Sequence, residues 1–183
     1  MKRIILLALF ALLISALAAV EIGGAFLPEK LQFGENALTL NGAGMRKKVV
    51  IKVYACGLYL PQQSSSSTAI LAAEGAIAIR MNFIYKKVDQ EKLIDAWNEG
   101  FAKTGALQKF AIETSRFNAL FSQPAVKGDI YDIVYLPGTG VQVIRNEVVL
   151  GTIENPDFRK AVFSIWLDED TDLPKLRESL LGN

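Results

Sequence analysis

The sequence predicts an α+β fold in which helices cover one face of an antiparallel sheet, and three observations support this. Residues 48–60, KVVIKVYACGLYL, are rich in β-branched and aromatic side chains and largely apolar on both faces, as in a central strand covered on both sides. Residues 76–85 alternate, with Ile77, Ile79, Met81 and Phe83 on one side and Arg80 and Asn82 on the other, the period of a strand with one wet or ligand-facing side. A pair of helical patterns separates these strands from a later set, an order that suits helices packed on one face of a sheet.

The chain opens with Lys2 and Arg3, an apolar run over residues 4–17 and the small-x-small triplet Ala16-Leu17-Ala18. This is the pattern of a secretory signal peptide. It is expected over residues 1–18, with cleavage after Ala18, leaving residues 19–183 as one domain. The run is at the short end of the roughly 17–25 residues that span a bilayer, so an uncleaved anchor is the competing reading. After cleavage no stable membrane span is expected, and the expected location is secreted, in a periplasm.

Short strands over residues 31–33 and 37–40 come next, meeting a turn at Asn41-Gly42, and the strand over residues 48–60 follows. A polar loop, residues 62–67, leads to a small helix over 68–74 that stops at Gly75. After the alternating strand, Asp89 is placed to cap a helix whose Leu93, Trp97 and Phe101 recur every four residues until Gly105. A second helix is expected over residues 107–121, with Leu107, Phe110, Thr114, Phe117 and Phe121 at helical spacing and Pro124 beyond its end. Strands over 129–136, 141–145 and 148–153 read as a meander, turning at residues 137–140 and at Asn146. Asn155-Pro156 starts a helix that aligns Phe158, Ala161, Val162, Ile165 and Trp166, and a last helix runs over 173–181.

Composition narrows the chemistry. Removing Lys2 and Arg3 from the 20 lysines and arginines leaves 18 against 19 aspartates and glutamates, a net charge near −1. No basic excess remains to grip a phosphate backbone, so no nucleic acid partner is expected. The single cysteine, Cys56, has no partner for an intramolecular disulfide and reads as a small core hydrophobe. The chain has no histidine, which excludes Ser-His-Asp and Cys-His sites, histidine zinc ligands and an imidazole shuttle. No cofactor and no metal site is expected. The glycines at 42 and 44 do not form a phosphate loop, because β-formers rather than a helix follow Arg46.

The residues that remain distinctive carry a resemblance. Gly42-Ala43-Gly44-Met45-Arg46 fits G-x-G-x-R, and the strand after it ends in Gly57-Leu58-Tyr59-Leu60, a G-x-Y-L. Tyr85-Lys86-Lys87-Val88 opens the helix pair, and Tyr135-Leu136-Pro137-Gly138, Asn155-Pro156-Asp157-Phe158 and Phe163-Ser164-Ile165-Trp166-Leu167 complete the set. These segments resemble the chalcone isomerase superfamily from about Leu31 onward, and the last of them, with Leu180-Leu181-Gly182, is similar to its exported bacterial branch.

The resemblance implies an open-faced β-sandwich, a large antiparallel sheet with a layer of helices on one face and a ligand cleft between them. It implies either a cofactor-free intramolecular lyase or isomerase acting on a chalcone, or a non-catalytic member that holds a fatty acid by its carboxylate. Arg46 stands at the family's anion-binding arginine and Tyr85 at the tyrosine that polarises the ketone. Tyr54 replaces the family's threonine and Lys92 its asparagine, so fewer of the isomerase's requirements are met than of the binder's. The leading expectation is a secreted, non-catalytic domain that takes a small hydrophobic or amphiphilic ligand, fatty acid or polyphenol-like, at Arg46, Tyr85 and Tyr54. The isomerase and a structural or partner-binding envelope protein are the alternatives. A guanidinium fork in an apolar cleft suits a carboxylate. Arg46 also reads as a surface turn arginine, Tyr85 as a packing tyrosine, Tyr59 as core, and Arg80, Asn82 and Lys92 as solvated.

Overall fold

The computed structural model of the chain describes residues 18–182. The leader expected over residues 1–18 therefore lies, apart from Ala18, outside the described residues.

A hairpin of β1 (Ala19–Ile22) and β2 (Ala25–Pro28) comes first. It turns at Gly23-Gly24, where φ is +62° and +91°, a region glycine enters without steric cost. The seven-stranded antiparallel sheet then begins with β3 (Lys30–Phe33), the long β4 (Asn36–Lys48) and β5 (Ile51–Leu60). After α1 (Ser67–Ala72) come β6 (Ile77–Phe83) and the short β7 (Lys87–Val88). The helical block is α2 (Gln90–Lys103), α3 (Ala106–Lys109) and α4 (Ala111–Ala119). The short β8 (Ala125–Val126) leads to the meander of β9 (Ile130–Leu136), β10 (Gly140–Arg145) and β11 (Val148–Ile153), and the chain closes with α5 (Phe158–Leu167) and α6 (Pro174–Leu180). The sheet order is β11-β10-β9-β6-β5-β4-β3, with β7 pairing β8 apart from it. No helix among the described residues is long and apolar enough to cross a membrane.

This is the expected α+β architecture. Tyr54, Cys56, Leu58 and Leu60 of β5 and Ile77, Ile79, Met81 and Phe83 of β6 face the helices and share one core with Trp97, Phe117, Phe158 and Trp166. On the other face Tyr59 packs with Leu31, Leu38 and Leu40, and Ala25 and Leu27 of the first hairpin cover Ala55. The central strand is thus covered on both sides, which is why both its faces are apolar. Tyr59 is core, and its hydroxyl donates to the Pro28 carbonyl at 2.9 Å.

Four local expectations change. Asn41-Gly42 is not a turn: β4 continues through it with a bulge, where the register shifts between Leu40 and Gly42. The Asn41 side chain donates to the Ser64 and Leu180 carbonyls at 3.0 and 2.8 Å and accepts from the Ser64 N–H at 2.7 Å. Its side chain fastens strand, loop and C-terminal helix instead of reversing the chain. The reversal comes at Val49-Val50, between the partners Lys48 and Ile51. The helix expected over 107–121 breaks at Phe110, whose φ of −127° turns its ring to within 5.7 Å of Phe158. Asp89 stands at the α2 N-cap without a side-chain capping bond, and its carboxylate meets Lys87 Nζ at 2.7 Å instead.

Arg80 is also not solvated. Its Nε and Nη2 donate to the two Asp132 oxygens, each at 2.7 Å, across the β6–β9 pair where the two residues are register partners. Burial disfavours the Arg80 charge, but the Asp132 hydrogen bond and charge outweigh it and its pKa rises.

Candidate functional site

Arg46 lies near the end of β4, and its cross-strand partner on β5 is Tyr54, which in turn pairs with Phe83 on β6. Directly opposed residues of an antiparallel pair point to the same face, so Arg46 extends toward the helices, as Tyr54 does. There it lines a narrow cleft of about 60 Å³ with Trp97 and Lys103 of α2, Ser164 and Ile165 of α5, and the segment that leads to α6. Arg46 is half-buried and donates to the Lys47 carbonyl. Among the described residues no carboxylate lies within ion-pair distance of it.

Trp97 forms the inner wall. It is 4% exposed, and its indole Nε1–H has no hydrogen-bond acceptor among the described residues. Its ring is wedged among Phe117, Phe121 and Trp166 at centroid distances of 5.8, 5.1 and 5.6 Å. A buried donor left unpaired costs about 1–3 kcal/mol. Helical spacing marked Trp97 as core in the sequence. The missing acceptor is a tertiary fact with no signal in the chain.

Tyr54 sits beneath this cleft rather than in its lining. Its hydroxyl oxygen accepts from Trp166 Nε1–H at 3.3 Å. Burial, with a smaller contribution from Cys56, pushes its pKa well above the usual phenol range, against the lowering effects of the Trp166 bond and of Arg46. Burial does the same to the Cys56 thiol, which is fully enclosed and so far from a reactive thiolate. Tyr85 follows β6, half-buried, with its N–H donating to the Val53 carbonyl at 3.1 Å. It does not line the Arg46 cleft. The structure thus brings Arg46 and Tyr54 onto one face and leaves Tyr85 beside them at the strand end.

The cleft carries mixed charge. Glu99, Asp168, Asp170 and Asp172 share its lining with the two cations, and Lys103 donates to Asp172 and to the Asp170 carbonyl. Arg46, Trp97 and Ser164 line it together with carboxylate residues, Glu99 on α2 and the aspartates of the chain after α5. Among the described residues no group of three or more acidic or cysteine side chains is arranged to hold a metal.

A second hollow, of about 430 Å³, lies between α1 and the end of β5, lined by Leu60, Pro61, Ile70 and Ala73 with Arg159 at its wall. Arg159 was not singled out by the sequence. It is buried, and its Nη1 and Nη2 donate to the Leu71 and Ile70 carbonyls at 3.2 and 3.0 Å, near the α1 C-terminus. Its guanidinium lies 5.5 and 5.9 Å from the ring centroids of Tyr135 and Phe163. Its Nε has no partner among the described residues, and burial lowers its pKa. Carbonyl dipoles and ring faces stand where a carboxylate would otherwise be needed.

Comparison with known proteins agrees with this architecture. A family model described as chalcone isomerase-like matches residues 19–182. Among solved structures, the Arabidopsis thaliana fatty-acid binding protein AtFAP1 superposes with a TM-score of 0.69 at 17% identity, covering 90% of this chain and 96% of that one. No curated protein matches the chain.

Proposed function

Because the chain belongs to the chalcone isomerase-like family, we propose that it binds the carboxylate of a small hydrophobic anion, such as a fatty acid, at the Arg46 cleft and does no covalent chemistry on it. One observation carries this reading: Arg46, with no carboxylate within ion-pair distance among the described residues, lines the same cleft as Trp97, whose enclosed indole N–H has no acceptor among them. A ligand carboxylate would give the Arg46 guanidinium its charged partner, and would reach the Trp97 N–H where the ring shifts to admit it. The resemblance in fold to a fatty-acid binding protein supports the same ligand class.

The acidic rim selects among anions. Glu99, Asp168, Asp170 and Asp172 repel a small bare anion, so affinity must come from an apolar body that buries surface as the head group meets Arg46. The cleft of about 60 Å³ takes a head group only, since ligand pockets usually measure about 300–1,000 Å³. The tail would part the Trp97 ring from its aromatic neighbours or slide along α2.

Calorimetric titration with dodecanoate, below its micelle concentration, tests the proposal. Saturable binding is expected, weakened at least tenfold in Arg46→Ala, with acetate giving none. Absence of dodecanoate binding, or equal affinity in Arg46→Ala, would refute it. A second reading attaches to the 430 Å³ hollow, whose volume suits an acyl chain. In that case Arg159→Met, rather than Arg46→Ala, removes the binding.

Export is part of the proposal. Residues 1–18 act as a signal peptide, and the domain works in the periplasm of a bacterial host. N-terminal sequencing of protein recovered from a periplasmic extract is expected to begin at Ala19. Recovery of the intact Met1 terminus in the membrane fraction would favour an anchor.

A further inference from the structure

We propose that the β4–β5 hairpin tip is a docking element for an anionic lipid surface. The tip holds three consecutive β-branched residues, Val49, Val50 and Ile51, which are 91%, 85% and 44% exposed. Lys47, Lys48 and Lys52 flank them, all exposed. Two neighbouring segments extend the basic surround. Ile84 and Tyr85 N–H groups donate to the Val53 carbonyl, which brings Lys86 beside the hairpin. Lys127 N–H donates to the Lys86 carbonyl at 3.3 Å, next to Val126, which is 41% exposed.

Among the described residues none of Lys47, Lys48, Lys52, Lys86 and Lys127 has a carboxylate within ion-pair distance. The acids on these segments are Asp89, held by Lys87, Asp129, held by Arg145, and Glu91. A chain with almost no net charge therefore concentrates unpaired cations around its most exposed apolar side chains.

Val49 also has φ +58°, a conformation that a β-branched residue adopts only at a cost. The turn thus keeps both a backbone strain and an apolar exposure that Asn or Gly would relieve, and strain retained in this way is characteristic of functional segments. Three apolar side chains are too few for a stable protein interface, which buries about 800 Å² per partner and is depleted in lysine. A bilayer sets no such minimum. Apolar tip residues enter the acyl boundary while surrounding lysines reach anionic headgroups.

The inference does not depend on what occupies the Arg46 cleft, and its test reads the hairpin alone. Val50→Trp places a reporter at the tip, against the background of the buried Trp97 and Trp166. Adding vesicles of phosphatidylcholine with phosphatidylglycerol is expected to shift its emission to the blue and to expose it to quenching by brominated acyl chains. The shift should vanish with phosphatidylcholine alone and fall at least tenfold in apparent affinity when Lys47, Lys48 and Lys52 are changed to Gln. In co-sedimentation, Val49→Asp with Val50→Asp should lose the salt-sensitive part of the binding, every protein carrying the same N-terminus so that residues 1–17 contribute equally. Circular dichroism checks that each variant is folded. An emission spectrum indifferent to anionic vesicles would overturn the proposal, as would binding that survives both sets of substitutions. Concentration-dependent self-association that buries the tip in place of lipid binding would assign it to a protein contact and overturn it too.

Discussion

At the residue scale, Trp97 separates a structural role from a binding role. Trp97→Phe keeps an aromatic ring but removes the unpaired N–H together with half of the indole. The relief of the buried donor, about 1–3 kcal/mol, and the loss of packing, of similar size, should leave the stability of the free protein changed by less than about 2 kcal/mol. Dodecanoate affinity should nonetheless fall, and a parallel loss of both would mean that the indole only packs. Asp129 gives a pH signature. Burial raises its pKa, but bonds from the Val126 N–H at 2.8 Å, Asn146 Nδ2 at 2.9 Å and Arg145 Nη2 at 2.7 Å outweigh that and hold it below the usual 3.8. A carboxyl lowered by folding contributes stability that is complete above its unfolded value and lost as pH falls through its folded one. Denaturant melts should therefore show that contribution declining below about pH 4, and Asp129→Asn should flatten that part of the profile. Arg46 and Tyr85 were singled out in the sequence through their motif, and of the two only Arg46 lines the cleft. Arg159 and the unpaired Trp97 donor were not singled out, because satisfaction of a donor depends on atoms distant in the chain.

At the element scale, the glycines of the G-x-G-x-R segment serve the packing of α6 on β4. A Cβ on Gly42 would stand 2.3 Å from the Ser179 carbonyl oxygen, and one on Gly44 would stand 2.7 Å from Ser179 Cβ and 2.9 Å from Leu176 Cδ1. Gly44→Ala is expected to cost about 1–3 kcal/mol by overpacking, and Gly42→Ala more, because backbone rather than a side chain must give way. Thermal melts of the two variants check both magnitude and order. The first of these glycines was expected to form a turn with Asn41. The turn is instead Val49-Val50, and the bulge between Arg46 and Lys47 sets how the arginine leaves the strand. At that hairpin Val49→Asn relieves a left-handed β-branched residue and should stabilise the fold by about 1 kcal/mol. The first hairpin went unread because Glu21 and the paired glycines interrupt its alternation, although Gly23-Gly24 carries a turn signal. The strands β7 and β8, two residues each, are too short for any periodicity to show.

At the scale of the whole molecule, a ligand that binds the folded chain and not the unfolded one must stabilise it by mass action. Dodecanoate at 100 times its dissociation constant should add about 2.7 kcal/mol, read as a shift in the denaturation midpoint, and no shift at that excess would contradict folded-state binding. The chain by itself determined the α+β class, the central strand with two covered faces, the helical block between two sets of strands and the family motif at Arg46. Each of these rests on local periodicity or on residues close in sequence, where side-chain spacing alone dictates which face is buried. Only the tertiary structure decided how much room the helices leave above the sheet. Trp97, Phe117, Phe121 and Trp166 fill that space, so the expected ligand cleft is reduced to about 60 Å³. It also decided that Arg80 meets Asp132 from 52 residues away and that Val49 and Val50 stand exposed at a hairpin tip instead of inside a strand. Cavity volume, ion pairing and exposure depend on contacts between segments far apart in the chain, and no local pattern encodes which distant side chain arrives first.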